Sequence, residues 1–166
     1  MFDLNLHGKV SNDFFVRDAL VDDAIQIHQI VAQYIDSGIL LPRPVEDIIV
    51  RIGNFQVVEK KDTREIVACA ALRDFGAHLF EIRSLAVSSR HHNCGIGSLL
   101  VFSLLKRAKF KATKAQVFAL TTSPLFFQKI GFEIVKKEIF PIKIWADCRF
   151  CKKINECDEV AVSIEI

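Results

Sequence analysis

Two glycines one residue apart, Gly95 and Gly97, stand at the start of the strongest helical pattern of the chain. Glycine costs a helix interior about 1 kcal/mol relative to alanine, so a bare backbone at this position needs a reason. A helix N-terminus offers unpaired N–H groups and partial positive charge, and glycines let an anionic ligand approach that backbone. A tight turn without a ligand is the alternative for two glycines alone. The apolar face of the predicted helix comprises Ile96, Leu99, Leu100, Leu104 and Ala108.

The glycine pair does not match two common nucleotide-binding patterns. The dinucleotide fingerprint requires a third glycine, but position 100 is leucine. The chain also lacks the G-x-x-x-x-G-K-[ST] pattern of a phosphate-binding loop. Both classes of nucleotide-binding protein are therefore disfavoured.

Hydrophobic periodicity predicts the element order β-α-α-β-β-β-α-β-α-β-β. We expect an α/β (α+β) fold in which helices cover both faces of a mixed sheet of about seven strands. Residues 1–13 form a predicted N-terminal tail, and residues 14–166 one domain. Helices are predicted over residues 22–36, 45–54, 124–131 and from Gly95, and strands over residues 14–20, 55–60, 65–72, 78–87, 115–120, 132–140 and 159–166.

Charge and hydropathy limit the possible partners. The net charge is +2, with the basic residues largely scattered, which argues against a nucleic-acid partner. No apolar run reaches the roughly 18 residues of a membrane span. The N-terminal residues do not resemble a signal peptide. We therefore expect a cytoplasmic protein with reduced cysteines and no membrane or nucleic-acid partner.

The stretches EIRSLAV and HNCGIGSLL resemble the acetyl-CoA site of the GNAT N-acetyltransferase superfamily. The stretches GILLPRP, CAALRDF, VFALTTSPLFFQKIGF and PIKIWADCRFCKKINECDEVAV are similar to short, single-domain N-acetylglutamate synthase-like proteins. This resemblance implies the GNAT fold with acetyl-CoA as co-substrate. It also implies acetylation of the α-amine of L-glutamate or a related amino acid, by direct attack in a ternary complex. This reaction type belongs to arginine biosynthesis.

The resemblance also implies where acetyl-CoA binds. The backbone of Leu85, Ala86 and Val87 is expected to pair with the pantetheine arm, and a main-chain N–H there to polarise the thioester carbonyl. His92 stands where Arg or Gln is usual, and a neutral imidazole brings no charge. His91 and Arg90 are candidates to compensate, and the alternative is that His91 and His92 are ordinary exposed turn residues. The expected cofactor-binding residues outside the strand are His92, Asn93, Cys94, Gly95, Ile96, Gly97, Ser98 and Phe127.

Acetyl transfer to an amine requires a base, a polarised carbonyl and a proton source for the thiolate. Strand alternation puts Glu81, Arg83 and Leu85 on one face, and the resemblance makes Glu81 the general base. A solvated Glu–Arg pair on an exposed strand is the alternative. Phe127 occupies the usual position of a tyrosine acid, and the single tyrosine, Tyr34, lies far away in sequence.

The resemblance implies an aromatic residue at the position of Phe127 and a hydroxyl residue just after the fifth strand. It thereby makes Thr121 the candidate acid or water-positioning residue, with Thr122 and Ser123 as alternatives. Ser123 is more readily explained as a cap of the helix that begins at Pro124. A thiolate that takes its proton from water is a further alternative.

A glutamate-like acceptor has two carboxylates, which guanidinium groups bind in bidentate fashion. Arg43 lies between two prolines in the loop that lines the acceptor side of the fold that the resemblance implies. Lys143 and Arg83 are the other candidates for acceptor binding.

Cys148, Cys151 and Cys157 form a C-x2-C-x5-C pattern that suits a metal or a redox pair. A structural zinc site takes four ligands, so this set is incomplete, and reduced thiols that order a loop are the alternative. The sequence leaves open a homodimer, a different small amine acceptor and a non-catalytic acyl-CoA-binding module.

Overall fold

In the computed structural model, which describes residues 10–151 and 153–166 except for the side chain of Trp145, seven strands form one sheet. Residues 1–9, most of the predicted tail, lie outside the described residues. Val10 packs against the core beside the first strand. The strands are β1 (Phe14–Asp18), β2 (Phe55–Lys60), β3 (Ile66–Asp74), β4 (Leu79–Val87), β5 (Gln116–Thr121), β6 (Glu133–Val135) and β7 (Val160–Glu165).

Five helices accompany the sheet, and no helix of the described residues is long and apolar enough to cross a membrane. The predicted first helix ends early, because the Tyr34 carbonyl accepts hydrogen bonds from Ile39 and Leu40 and closes a loop. The helices are α1 (Ala24–Ala32), α2 (Val45–Val50), α3 (Ile96–Lys111), α4 (Pro124–Lys129) and α5 (Pro141–Ala146).

The prediction of a long sixth strand over residues 132–140 is wrong. Only the three residues of β6 pair with β7, and a 3₁₀ turn over Lys137–Ile139 follows. Phe140 then packs into the core with its ring 4.0 Å from that of Phe118. This contact turns the chain inward into α5, a helix that the sequence patterns did not predict.

The sheet order is β1-β2-β3-β4-β5-β7-β6. All neighbouring strands are antiparallel except β4 and β5, which are parallel. Residues 79–81 of β4 pair with residues 116–118 of β5, and beyond that point the two strands diverge. The divergence opens a cleft in the middle of the sheet.

Helices cover both faces of this sheet, as predicted. Adjacent residues of β2 alternate between the two cores, with Val58 on the α3 side and Val57 on the α1–α2 side. A smaller cluster of Phe118, Phe140 and Ala161 lies beside α5. One face of the sheet therefore packs against α3, and α1, α2 and α5 cover the opposite face.

A β-bulge interrupts β4 at Ser84 and Leu85. Arg83 pairs with Ala71, but Ala86 pairs with Cys69, so β4 has one extra residue and Ser84 adopts φ +53°. The predicted sharing of one face by Glu81, Arg83 and Leu85 is therefore wrong for Leu85. Its side chain packs against the α3 core together with Ile82.

Candidate active site

The divergence of β4 and β5 forms a cleft of about 630 Å³. The end of β4, the turn after it, the end of β5 and α4 line this cleft. Cys94 is not among the lining residues: it is exposed, and its Sγ contacts the His92 carbonyl at 3.4 Å. The candidate residues that the structure brings together here are Arg83, Leu85, Ala86, Val87, His92, Asn93, Gly95, Ile96, Gly97, Ser98, Thr121 and Phe127.

The glycine turn opens the N-terminus of α3 to the cleft. Gly95 precedes the helix with φ +76°, a conformation that glycine adopts without strain. The Leu99 N–H donates the first hydrogen bond of the helix to the Gly95 carbonyl, so the preceding N–H groups have no carbonyl of α3 to bond. At Gly97 a Cβ would lie 3.3 Å from the Phe126 ring. The glycines thus create an anion-accepting helix start and admit an aromatic ring to the cleft wall.

Tyr34 enters the same cleft, although it is distant from the turn in sequence. Its hydroxyl donates to the Val87 carbonyl and contacts His92 Nε2. The His92 Nε2 lies 3.1 Å from the same carbonyl, and the two rings stack with centroids 6.1 Å apart. The His92 side chain is therefore turned back onto the end of β4.

A second pocket of about 370 Å³ lies beside the cleft and shares Arg83 and Ser84 with it. Its charged lining consists of four arginines and two aspartates, an excess of two positive charges. The β4 bulge thus stands at the junction of an apolar cleft and a basic pocket. The charged residues are Arg43, Arg51, Arg73, Arg83, Asp47 and Asp147.

Glu81 is buried next to this basic pocket, with 2% of its surface exposed. Lys143 Nζ lies 2.6 Å from Glu81 Oε1 and 2.8 Å from Asp147 Oδ2. The other carboxylate oxygen, Oε2, is buried without a hydrogen-bond partner among the described residues, with Arg83 NH1 at 3.9 Å. Glu81 is thus not a solvated residue of an exposed strand: Lys143 holds one of its oxygens, and the other is buried and unpaired among the described residues.

Asp147 joins three basic side chains. It accepts hydrogen bonds from Arg73 at 2.6 Å and from Lys143, and Arg83 NH1 lies 3.5 Å away. Burial opposes its ionisation, but the hydrogen bond and charge of Lys143, with those of Arg73 and Arg83, lower the pKa of Asp147 to about 2. The carboxylate is therefore a fixed negative charge at physiological pH.

Arg43 reaches the basic pocket from the loop before α2. The His28 Nδ1–H donates to the Arg43 carbonyl at 2.8 Å, which fixes the backbone of the loop. Burial and the charges of Arg83 and Arg51 lower the pKa of Arg43. Its Nε is buried without a hydrogen-bond partner among the described residues, as is that of Arg83. These two buried donors lack an acceptor.

At the end of β5, the Thr121 hydroxyl oxygen accepts a hydrogen bond from the Ser123 N–H at 2.9 Å. Ser123 itself precedes α4 without a side-chain capping bond. The expected capping role of Ser123 is therefore wrong. The O–H proton of Thr121 remains available to a group in the cleft. Phe127 is buried in the α3 core and also lines the cleft.

The cysteine cluster lies after α5. Within residues 10–151 and 153–166, no group of three or more His, Cys, Asp or Glu side chains is arranged to hold a metal ion. Cys148 and Cys151 are half-buried free thiols, and exposed Cys157 accepts a hydrogen bond from Lys137 Nζ at 3.1 Å. The Cys151 N–H bonds to the Cys148 carbonyl at 3.0 Å.

The residues of these two sites that sequence reasoning missed include Tyr34, Arg73 and Asp147. Tyr34 lies 53 residues before the carbonyl that it contacts, and Arg73 lies 74 residues before Asp147. No local pattern marks such contacts. Only the i, i+4 spacing of Lys143 and Asp147 gave a signal, and it required α5 to be known.

A cleft between diverging parallel strands, with an open glycine turn at its end, is the architecture expected for a GNAT enzyme. The family model for the acetyltransferase (GNAT) domain matches residues 51–134. An uncharacterized N-acetyltransferase of Chlorobaculum tepidum is 40% identical over 90% of this chain and 95% of its own length. The chain belongs to the GNAT acetyltransferase family.

A more distant relative and two solved structures are also similar to this chain. The amino-acid acetyltransferase of Buchnera aphidicola is 30% identical over 76% of this chain, which spans only 28% of that protein. N-acetylglutamate synthase from Neisseria gonorrhoeae, solved with coenzyme A and N-acetyl-glutamate, superimposes with a TM-score of 0.82 at 25% identity, over 93% of this chain and 35% of that one. A Mycobacterium tuberculosis protein solved with CoA and NLQ gives 0.77 at 26% identity, over 92% and 99%.

Proposed function

We propose that this acetyltransferase transfers the acetyl group of acetyl-CoA to the α-amine of an acidic amino acid, L-glutamate first. The proposed reaction is of the arginine-biosynthesis type and takes place in the cytoplasm. The observation that carries the proposal is the basic pocket beside Glu81, where Arg43 and Arg83 each bury an Nε that has no acceptor among the described residues. The glutamate-related neighbours support the same acceptor class.

The pairing of the pocket arginines favours an acceptor with two carboxylates. Arg73 is engaged by Asp147 at 2.6 Å, and Arg51 lies 3.5 Å from Asp47. Within the described part of the chain Arg43 forms no ion pair, and Arg83 has a buried Nε without an acceptor although its NH1 lies 3.5 Å from Asp147 Oδ2. A neutral or basic amino acid has one carboxylate at most for these two groups, and an unmatched buried charge is costly.

The cleft supports acetyl-CoA as the donor. Its open helix start suits a pyrophosphate, and the diverging β4 and β5 leave strand backbone free to pair with the pantetheine arm. Acetyl-CoA in the cleft and an amino acid in the pocket would meet at Arg83 and Ser84, which line both. This arrangement suits direct transfer in a ternary complex.

In the proposed mechanism, Glu81 is the general base. Lys143 holds Oε1, so Oε2 takes the proton of the acceptor ammonium, directly or through a water molecule. The amine nitrogen then attacks the thioester carbonyl, whose oxygen accepts from a main-chain N–H near Leu85. The C–S bond breaks as the tetrahedral intermediate collapses, and the second proton of the attacking nitrogen passes to the departing thiolate sulfur, which gives the amide and free CoA. The Thr121 hydroxyl donates a hydrogen bond to that sulfur as it leaves.

An acceptor panel tests the proposal. The purified chain is incubated with acetyl-CoA and L-glutamate, L-aspartate, L-glutamine or L-lysine, and acetylated product is quantified by mass spectrometry. We expect kcat/KM for glutamate to exceed that for glutamine by at least tenfold, because glutamine has no second carboxylate for the buried Nε groups of Arg43 and Arg83. Equal values for the two amino acids would contradict the two-carboxylate assignment.

Two variants separate binding from chemistry. Arg43→Ala should raise KM for glutamate more than KM for acetyl-CoA, because it removes a contact to the acceptor alone. Glu81→Gln should lower kcat and leave the Kd of CoA unchanged. Unchanged turnover in Glu81→Gln would remove Glu81 from the proton transfer.

A further inference from the structure

The backbone of Val87 points into the cofactor cleft. The Ser88 N–H donates to the Val67 carbonyl at 2.8 Å, which makes Ala68 and Val87 a non-hydrogen-bonded pair of the antiparallel ladder. The N–H and carbonyl of Val87 therefore point away from β3. They face the cleft between the diverging strands β4 and β5.

Two side chains contact the oxygen of the Val87 carbonyl. Both the Tyr34 hydroxyl and His92 Nε2 lie within hydrogen-bond distance of its oxygen and of each other. A carbonyl can only accept, so the Tyr34 O–H donates to it. His92 Nε2 then carries a hydrogen, because an unprotonated Nε2 would find no donor at either oxygen. The single Nε2–H is shared between the Tyr34 and Val87 oxygens, so both side chains contact the Val87 carbonyl.

The loop that presents Tyr34 is itself tied to the turn after β4. Gln33 Oε1 accepts a hydrogen bond from the Ser89 N–H at 3.1 Å. Burial raises the pKa of the Tyr34 phenol, with a further contribution from Cys69, so the hydroxyl remains a donor over the physiological range. The segment after α1 thus holds the end of β4 and the turn after it through two hydrogen bonds between a side chain and the backbone.

We propose that Tyr34 and His92 form a carbonyl clamp, the two side chains that hold the Val87 carbonyl, and that this clamp positions the Val87 N–H for the pantetheine arm. The inference rests on the proposed use of acetyl-CoA. It assigns His92 a positioning role through Tyr34 and Val87, in place of a direct contact with the pyrophosphate. The arm then pairs with Val87 through the N–H alone.

Calorimetric titration with two ligands tests the clamp. One ligand is CoA, and the other is 3′-phosphoadenosine 5′-diphosphate, which has the same nucleotide and pyrophosphate but no pantetheine arm. Tyr34→Phe and His92→Ala should each weaken CoA binding about five- to tenfold, the effect of one lost hydrogen bond. Both variants should bind the arm-free nucleotide within twofold of wild type.

The double variant Tyr34→Phe/His92→Ala should bind CoA no more weakly than the weaker single variant, because the two side chains act on one carbonyl. Ser37→Ala is the matched control. It removes a hydroxyl that bonds to the Tyr34 carbonyl from the outer side of the same loop, and both dissociation constants should stay unchanged.

Three results would overturn the clamp. Equal weakening of both ligands by His92→Ala would place His92 on the pyrophosphate. Unchanged or tighter CoA binding by Tyr34→Phe would mean that the arm does not depend on the held carbonyl. Additive losses in the double variant would show independent roles. A wild-type chain that binds neither ligand would instead refute the proposed function, and the clamp with it.

Discussion

Removal of the Lys143 ammonium should destabilise the protein strongly. Lys143→Met leaves Glu81 as a buried carboxylate without its 2.6 Å partner, and both residues are buried, at 7% and 2% exposure. Breaking one side of a buried ion pair costs about 3–5 kcal/mol. Asp147 keeps its hydrogen bond from Arg73, so the loss falls at the lower end, at about 3 kcal/mol.

The assay is thermal unfolding followed by circular dichroism. For a chain of this size, 1 kcal/mol corresponds to about 2–4 °C in Tm, so Lys143→Met should lower Tm by about 6–12 °C. Lys60→Met is the matched control, because Lys60 lies 3.2 Å from Asp62 on the surface. An exposed pair of this kind contributes little to stability, so Lys60→Met should leave Tm close to that of wild type.

A double variant distinguishes a lost ion pair from a packing defect. Glu81→Met/Lys143→Met replaces both charges by apolar side chains of similar size, and it should recover most of the lost stability. If the double variant is as unstable as Lys143→Met, the loss of stability arises from packing and not from the unpaired Glu81 carboxylate. A single variant within about 0.5 kcal/mol of wild type would refute the assignment of Lys143 as the partner of Glu81.

Two further predictions concern Asp147 and Cys69. The pKa of Asp147 is lowered from 3.8 to about 2, so its stabilising contribution is complete above pH 3.8 and is lost as the pH falls toward 2. Asp147→Asn should remove that part of the acid dependence of Tm between pH 2 and 4, and an unchanged profile would contradict it. Burial raises the pKa of Cys69 to about 12, so a thiol reagent should label Cys69 only after denaturation. Labelling of all five cysteines in the native protein would contradict its burial.

Local patterns were sufficient to predict most of the fold. The alternation in β2 and β3 and the helical spacing of α3 reflect burial of one strand face or one helix stripe, which the sequence records directly. The prediction that helices cover both sheet faces is confirmed, and the match to the GNAT family model supports the same fold. The glycine pair also marked the start of α3 correctly.

The errors arose where distant contacts override local patterns. Residues 132–140 have a strand-like pattern, but the stacking of Phe140 on Phe118 diverts the chain into α5. The β4 bulge has no sequence signature, because a serine at φ +53° is not distinguishable from one in a regular strand. The distance of Tyr34 from the glycine turn in sequence gives no indication of its role, although the fold brings its hydroxyl to the Val87 carbonyl.

The bulge at Ser84 connects the two halves of the site. One extra residue in β4 reverses the side-chain alternation and the hydrogen-bonding direction of every residue after it, relative to a regular strand. Arg83, before the bulge, lines the basic pocket and lies 3.9 Å from the Glu81 carboxylate. After the bulge, Leu85 packs its side chain toward α3 and the Val87 backbone faces the cleft. In a regular strand, Leu85 would stand in line with Arg83 on the pocket face, and the Val87 N–H would point at β3. A one-residue insertion thus lets a single strand present side chains to one proposed substrate and main-chain groups to the other.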